Sequence, residues 1–174
     1  MTIDPTKVKC VAFDLFGTVF DIRDTDRQEI RDYIAHVRKP EWSPLELPKS
    51  LRDLPLFPDA AIGIRKLVDL NLYRVSCSNA PWEFTDDLFH RSGLWYLMEA
   101  TDISKNKQFK PHPDAYRSIC QQFDYEPGEV LMVTGNAKSP DIKGAQDIGM
   151  QAIQIRQPGT PANIIELADL LGKL

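Results

Sequence analysis

Five short apolar runs recur along the chain, and amphipathic segments separate them. The runs lie at 8–13, 73–77, 98–101, 130–133 and 151–155. Short continuous apolar runs are typical of strands that are buried on both faces, and the segments between them are long enough for crossover helices. The pattern therefore predicts an α/β fold, with a Rossmann-like parallel sheet flanked by helices.

Helix start signals occupy the segments between the runs. They lie at Thr25-Asp26-Arg27-Gln28, Pro58-Asp59, Pro113-Asp114, Ser139-Pro140 and Thr160-Pro161. The first has the form of a capping box, and the last places a proline in the first helical position. Ile30, Tyr33, Ile34 and Val37 recur at helical spacing after the capping box, which predicts that this helix buries one face.

A proline-rich passage at 39–57 interrupts the alternation of strands and helices. Its four prolines are too many for regular structure. Together with the helix before it, this passage predicts a small lid-like cap insert at 21–57, placed after the first strand. Because such an insert is too small to build its own core, residues 1–174 are expected to form a single domain.

Composition excludes several classes of protein. The chain of 174 residues has 21 basic and 25 acidic side chains and a net charge of −4, which argues against a nucleic-acid binder. No apolar run approaches the roughly 20 residues that span a bilayer, and the first residues lack a secretory signal. We therefore expect a cytoplasmic protein that binds no membrane, with Cys10, Cys77 and Cys120 as buried free thiols.

Polar residues follow the ends of the predicted strands, where ligands bind in open parallel sheets. They are Asp14, Ser78, Asn79, Asn136 and the nearby Asp141, with Lys110 before a predicted helix. A carboxylate nucleophile, an ammonium group and neutral hydrogen-bond donors suit a small anionic substrate. The residues therefore predict that Asp14 attacks such a substrate while Lys110 neutralises negative charge.

The stretch from Phe13 to Asp21, which reads FDLFGTVFD, resembles the opening motif of the haloacid dehalogenase-like (HAD) hydrolase superfamily. The remaining motifs follow in the expected order as Ser78-Asn79, Lys110-Pro111, Gly135-Asn136 and Asp141-Ile142-Lys143-Gly144-Ala145. The resemblance covers about residues 8–157. Each motif is weak alone, but four in order at predicted strand ends and helix starts are specific.

The resemblance implies a HAD-like fold and a covalent aspartyl-ester intermediate on Asp14. It implies that Ser78 holds the anionic group of the substrate and that Lys110 keeps Asp14 ionised, so these three are the expected catalytic residues. Gly17 would let the backbone turn closely past the reacting centre, and Thr18 would help to fix that loop. The expected substrate-binding residues are Phe16, Thr18, Asn79 and Asn136.

Two positions depart from the phosphatases of the superfamily. Phe16 stands where those enzymes carry a proton-donating acid, and Asn136 stands where they carry an acid that binds Mg²⁺. Both departures resemble the L-2-haloacid dehalogenases, which need neither the acid nor a metal. A tyrosine six positions after the lysine, here Tyr116, belongs to the same resemblance, although its helical face favours a core position.

Two alternatives stay open on the sequence. The spacing from Asn136 to Asp141 looks more like the phosphatase branch. The first alternative is therefore an Mg²⁺-dependent phosphatase or phosphonate-type hydrolase with Asp14 and Asp141 as metal ligands. The second is a catalytically degenerate binding protein. No motif assigns a halide-binding role to an arginine of the insert, and the oligomeric state is not readable.

Overall fold

The computed structural model describes residues 3–23, 27–37, 49–103, 108–136 and 139–173. Its sheet has four strands: β1 (Cys10–Phe13), β2 (Tyr73–Ser76), β3 (Val130–Thr134) and β4 (Gln151–Gln154). The strands pair in the order β2-β1-β3-β4, and all three pairings are parallel. The predicted Rossmann-like parallel sheet is confirmed.

Helices cover both faces of this sheet. The helices are α1 (Arg27–Val37), α2 (Lys49–Arg52), α3 (Ala60–Asp69), α4 (Trp82–Ser92), α5 (Pro113–Phe123), α6 (Asp141–Gln146) and α7 (Ile164–Leu171). Short 3-10 turns lie at Pro5–Lys7 and Pro127–Glu129. Within the described part of the chain, no helix has the length and apolar character needed to cross a membrane.

Burial on both faces explains why the strands read as continuous apolar runs. Val11 and Phe13 of β1 belong to one hydrophobic cluster, which includes side chains of α3, α4 and α7. Cys10 and Ala12 face the opposite side and pack in a second cluster with side chains of α5 and α6. All three cysteines are buried free thiols, as the sequence predicts.

Two predicted elements are wrong in detail. The run at 98–101 forms no strand, because its pairing with the sheet is limited to a single bridge between Glu99 and Val75. The last helix begins at Ile164 rather than at Pro161, since the Asn163 side chain accepts a hydrogen bond from the Glu166 amide and caps the helix there.

The structure describes parts of the predicted cap insert at 21–57. Ile30 and Tyr33 of α1 are buried, as their spacing predicts. The four-residue helix α2 lies inside the proline-rich passage at 39–57. The expectation that this passage lacks regular structure is therefore wrong for Lys49–Arg52. The capping box at Thr25 and Asp26 lies outside the described residues. The domain boundaries stay a prediction.

Helices α3 and α7 pack closely through Gly63. A Cβ atom on this residue would lie 2.7 Å from the main-chain carbon of Ile164. We therefore expect Gly63→Ala to destabilise the fold by about 1–3 kcal/mol, because the methyl group overpacks a contact with main-chain atoms. Urea denaturation measures the change, and Gly128→Ala is the matched control because a methyl group added there would have no atom within 4 Å. Equal stability of the two variants would contradict this account of the contact.

Candidate active site

A cavity of about 370 Å³ opens at the carboxyl ends of β1, β2 and β3. Seven side chains singled out from the sequence line it: Asp14, Phe16, Ser78, Asn79, Lys110, Asn136 and Asp141. Ala80, Pro111, Ser139 and Pro140 complete the wall. Three neighbouring strands end at the same edge of the parallel sheet, which brings together the residues that follow them, and Lys110 reaches the same cavity from the segment before α5.

The centre of the cavity floor is an ammonium group between two carboxylates. Lys110 Nζ donates to Asp14 Oδ1 at 2.9 Å and to Asp141 Oδ2 at 2.7 Å. The three side chains are between 5% and 11% exposed. Charges removed from water in this way are stable only when they are paired and hydrogen-bonded, so the position of Lys110 determines whether both carboxylates can stay ionised.

The pKa values of this group follow from burial and mutual attraction. Burial raises the pKa of Asp14 above its ordinary value, Lys110 opposes that rise, and Asp141 adds to it. Burial disfavours the charge on Lys110, but the two carboxylates outweigh burial and raise the pKa of the ammonium. The two carboxylates therefore favour the ammonium form of Lys110, which has no lone pair with which to act as a base.

Asn136 fixes the other side of the Asp14 carboxylate. Its Nδ2 donates to Asp14 Oδ2 at 2.9 Å and to the carbonyl oxygen of Phe16 at 2.8 Å. Gly17 adopts a φ of +81°, and a Cβ atom there would lie 2.5 Å from Asn136 Oδ1. A side chain at Gly17 would therefore push Asn136 away from the nucleophile.

Thr18 has a different position from the one predicted. Its side chain is fully buried and does not line the cavity, so the prediction of direct substrate binding is not supported by its position. The hydroxyl instead accepts a hydrogen bond from the Gly135 amide at 2.7 Å and lies 3.4 Å from Asp14 Oδ2. Thr18 holds the loops after β1 and β3 together, which agrees with its expected role in fixing the loop.

Ser78 and Asn79 follow β2. Ser78 Oγ accepts a hydrogen bond from the Ala80 amide at 3.2 Å, which leaves its hydroxyl proton for a bound anion. Asn79 bonds to the main chain of Lys110 through both ends of its side-chain amide. Cys77 is buried next to Ser78, and burial raises the pKa of its thiol to about 12, which favours the unreactive thiol form.

Two residues of the site carry roles that the sequence did not reveal. Tyr116 Oη donates to Asp141 Oδ1 at 3.2 Å, so this buried tyrosine contacts the charged group although its helical spacing favours the core. Ser139 Oγ accepts from the Asp141 amide at 3.1 Å and places the first turn of α6. The six-residue spacing from Lys110 to Tyr116 is the sequence signal that points to the first contact.

Phe16 belongs to an aromatic group that joins the insert to the cavity. Its ring stacks on Phe84 of α4 with the ring centres 5.9 Å apart, and Tyr33 of α1 meets Phe84 edge-on at 5.4 Å.

The described arginine side chains of the insert differ in their surroundings. Arg23 forms an ion pair with Asp21. Arg31 of the insert is exposed, and the side chains of Arg27 and Arg38 lie outside the described structure.

A divalent cation would have to replace hydrogen bonds that the oxygens of this site already accept. The oxygens that could bind one, on Asp14, Asp141 and the Phe16 carbonyl, already accept hydrogen bonds from Lys110, Asn136 or Tyr116. Asn136 also presents its NH₂ group, not its oxygen, to Asp14. Among the residues that the structure describes, no three His, Cys, Asp or Glu side chains are grouped to hold a metal. The alternative in which Asp14 and Asp141 bind Mg²⁺ is not supported by this arrangement.

The family model for haloacid dehalogenase-like hydrolases matches residues 44–149, which is more than half of the chain. The chain belongs to this family. The matched segment contains Ser78, Lys110, Asn136 and Asp141, and Asp14 precedes it. Membership makes the protein a hydrolase of the HAD class, as its motifs predict.

Comparisons with curated proteins find dehalogenases of the same family. The chain is 24% identical over 205 aligned positions to the (S)-2-haloacid dehalogenase of Xanthobacter autotrophicus, covering 92% of this chain and 79% of the relative. It is 28% identical to haloacetate dehalogenase H-2 of Moraxella sp. (strain B) over 68% of this chain and 53% of that protein.

Solved structures confirm the fold. The L-2-haloacid dehalogenase of Xanthobacter autotrophicus with chloropropionic acid covalently bound has a TM-score of 0.69 and 22% identity, with 87% of this chain and 79% of the other covered. The crystal structure of a dehalogenase has a TM-score of 0.77 and 20% identity, and the match covers 96% of this chain and 98% of that one.

Removal of the Lys110 ammonium should lower the free energy of unfolding by an amount that depends on pH. Lys110→Met leaves two buried carboxylates without their cation, so we expect a loss of about 3–5 kcal/mol near neutral pH. The variant should regain stability toward about pH 5, because the pKa of Asp14 in its folded state rises further above the unfolded value and protonation then favours folding. Urea denaturation at the two pH values measures this.

Lys143→Met is the matched control for that experiment. Lys143 is 80% exposed and pairs with Asp147 on the surface, so its loss should change stability by less than about 1 kcal/mol at either pH. A pH-independent loss in Lys110→Met would contradict the proposed pairing with the carboxylates.

Proposed function

We propose that the protein is a 2-haloacid dehalogenase in which Asp14 is the covalent nucleophile. The observation that carries the proposal is the environment of the Asp14 carboxylate, which meets a cation on one oxygen and a neutral amide on the other at the floor of the cavity. Both partners donate to the carboxylate and favour its ionised form, which is the form that attacks a carbon atom.

The first step is a displacement at C2 of the haloacid. One carboxylate oxygen of Asp14 forms a bond to C2 while the carbon–halogen bond breaks, and the halide leaves with the bonding electron pair. By the resemblance of the opening motif, Phe16 stands where the phosphatases carry an acid, and its ring cannot donate a proton. A halide leaves as a stable anion, so this position needs no acid for the reaction.

The second step releases the product by hydrolysis of the ester on Asp14. Water attacks the side-chain carbonyl carbon, the ester bond breaks, and the products are a 2-hydroxy acid and the regenerated carboxylate. Lys110 is an ammonium and cannot take the proton of that water. Asp141 is the other carboxylate among the described residues of the cavity, and we assign the base role to it.

The substrate carboxylate is best placed near the start of α4. Ser78 lines the cavity with a hydroxyl proton that is not used by the Ala80 amide. The ammonium of Lys110 lines the same cavity and offsets part of the negative charge of the two carboxylates. Ser78 and Lys110 therefore offer an anionic substrate a hydrogen-bond donor and a cation.

The names of the relatives support the same reaction. The two curated proteins are haloacid and haloacetate dehalogenases, and the first solved structure above holds chloropropionic acid covalently. The phosphatase alternative draws its support from the spacing between Asn136 and Asp141. Because the oxygens of the site are already bonded to donors, the haloacid reaction fits the geometry better.

The reaction predicts halide release without added metal. Incubation with each enantiomer of 2-chloropropionate in buffer with a chelator should release chloride, measured with a chloride electrode. Asp14→Asn should lower the rate by at least about 10⁴-fold because it removes the nucleophile. Asp147→Asn, an exposed surface change, is the matched control and should leave the rate unchanged.

Two results would contradict the proposal. Hydrolysis of an aryl phosphate that requires Mg²⁺, with no chloride released, would favour the phosphatase. Absence of turnover on broad haloacid and phosphate-ester panels at high enzyme concentration would favour the catalytically degenerate binding protein.

The raised pKa of Asp14 determines where kcat/KM should fall on the acid side of its pH profile. The ionised carboxylate is the reactive form, so kcat/KM should fall as the pH drops through the pKa of Asp14. Since burial raises that pKa above the ordinary 3.8, the fall should begin at a higher pH than for an exposed aspartate. A profile that stays flat down to about pH 4 would contradict the raised value.

A further inference from the structure

Asn79 makes two hydrogen bonds to the main chain of Lys110. Its Nδ2 donates to the Lys110 carbonyl at 3.1 Å, and the Lys110 amide donates to its Oδ1 at 2.7 Å. A side-chain amide that pairs at both ends with a peptide group imitates the pairing of two neighbouring strands. The two residues are 31 positions apart, and they join the end of β2 to the segment before α5.

Lys110 lies outside any helix or strand of the structure. It sits in a turn that the His112 amide closes by donating to the Phe109 carbonyl at 2.8 Å. Pro111 has no N–H group and cannot extend that turn by donating a further bond. The two hydrogen bonds of the Asn79 amide tie the Lys110 main chain to the end of β2.

The position of the Lys110 main chain matters because its side chain is long. Four methylene groups separate the main chain from the ammonium, and a lysine side chain has many rotamers of similar energy. The ammonium must nevertheless stay within 2.9 Å of Asp14 and 2.7 Å of Asp141. A shift of the Lys110 main chain would change at least one of these distances.

We propose that Asn79 is a positioning residue of the reaction: its side-chain amide holds the Lys110 main chain and thereby sets the ammonium between Asp14 and Asp141. This inference rests on the proposed function. It replaces the expectation that Asn79 mainly binds substrate, because both the oxygen and one N–H group of the amide are used on Lys110.

The kinetic test compares Asn79→Ala with Ser78→Ala. Loss of the connection should lower kcat by about 10- to 100-fold while KM changes by less than about 3-fold, because a shift of about 1 Å in a catalytic group has that effect on rate. Ser78→Ala removes a group assigned to the substrate and should chiefly raise KM. A rise in KM for Asn79→Ala with kcat unchanged would overturn the proposal in favour of direct substrate binding.

A second measurement does not depend on turnover. The Asp14 carboxyl carbon is labelled with ¹³C, its NMR signal is assigned by its loss in Asp14→Asn, and it is titrated with pH. Because the ammonium lowers the pKa of Asp14, its displacement in Asn79→Ala should raise the midpoint by about 1 pH unit. An unchanged midpoint would overturn the positioning role.

Asn163→Ala is the control for a purely structural effect. Asn163 caps α7 and does not line the cavity, so its loss should lower stability without moving kcat or the Asp14 midpoint. If Asn163→Ala raises the midpoint as much as Asn79→Ala does, destabilisation alone accounts for the effect and the proposal fails.

The titration also separates this proposal from the proposed function. A raised midpoint in Asn79→Ala without any chloride release from the wild type would support the positioning role and contradict the dehalogenase reaction. Chloride release by the wild type with an unchanged Asp14 midpoint in Asn79→Ala would support the dehalogenase reaction and contradict the positioning role.

Discussion

The Lys110 ammonium between two buried carboxylates is the interaction on which the site depends. Asp14 follows β1 and Asp141 begins α6, and each would repel the other if both were ionised without a cation between them. Neutral donors complete the arrangement, since Asn136 bonds to Asp14 and Tyr116 bonds to Asp141. The chemistry of the cavity follows from this charge balance.

Two neutral residues separate this site from a metal-dependent one. Phe16 removes the side-chain acid beside the nucleophile, but its carbonyl oxygen remains in place and accepts a hydrogen bond from Asn136. The side-chain NH₂ group of Asn136 thus donates hydrogen bonds to oxygens that a hard cation would use as ligands. One amide in place of a carboxylate gives Asp14 a hydrogen-bond donor at a position where an acid would offer a cation a charged ligand.

The sequence predicts the parallel sheet and the members of the cavity because both follow from where short apolar runs end. It does not predict contacts that depend on side-chain direction. Tyr116 lies on an inward helical face whether it packs in the core or reaches Asp141, and Asn79 can bond either to substrate or to Lys110. Thr18 follows the nucleophile closely, yet the turn at Gly17 directs it into the core. The start of α7 differs from its prediction because the sequence offers two start signals close together. Pro161 suggests one start, and Asn163 caps the helix that forms.

The central claim is that a covalent ester forms on the side chain at position 14. A single turnover of excess enzyme with 2-chloropropionate in heavy-oxygen water, followed by proteolysis and mass spectrometry, tests it most directly. The account predicts one heavy oxygen in the peptide that contains Asp14 and none in the 2-hydroxy acid formed in that turnover. Heavy oxygen found in the product, with an unlabelled Asp14 peptide, would contradict it.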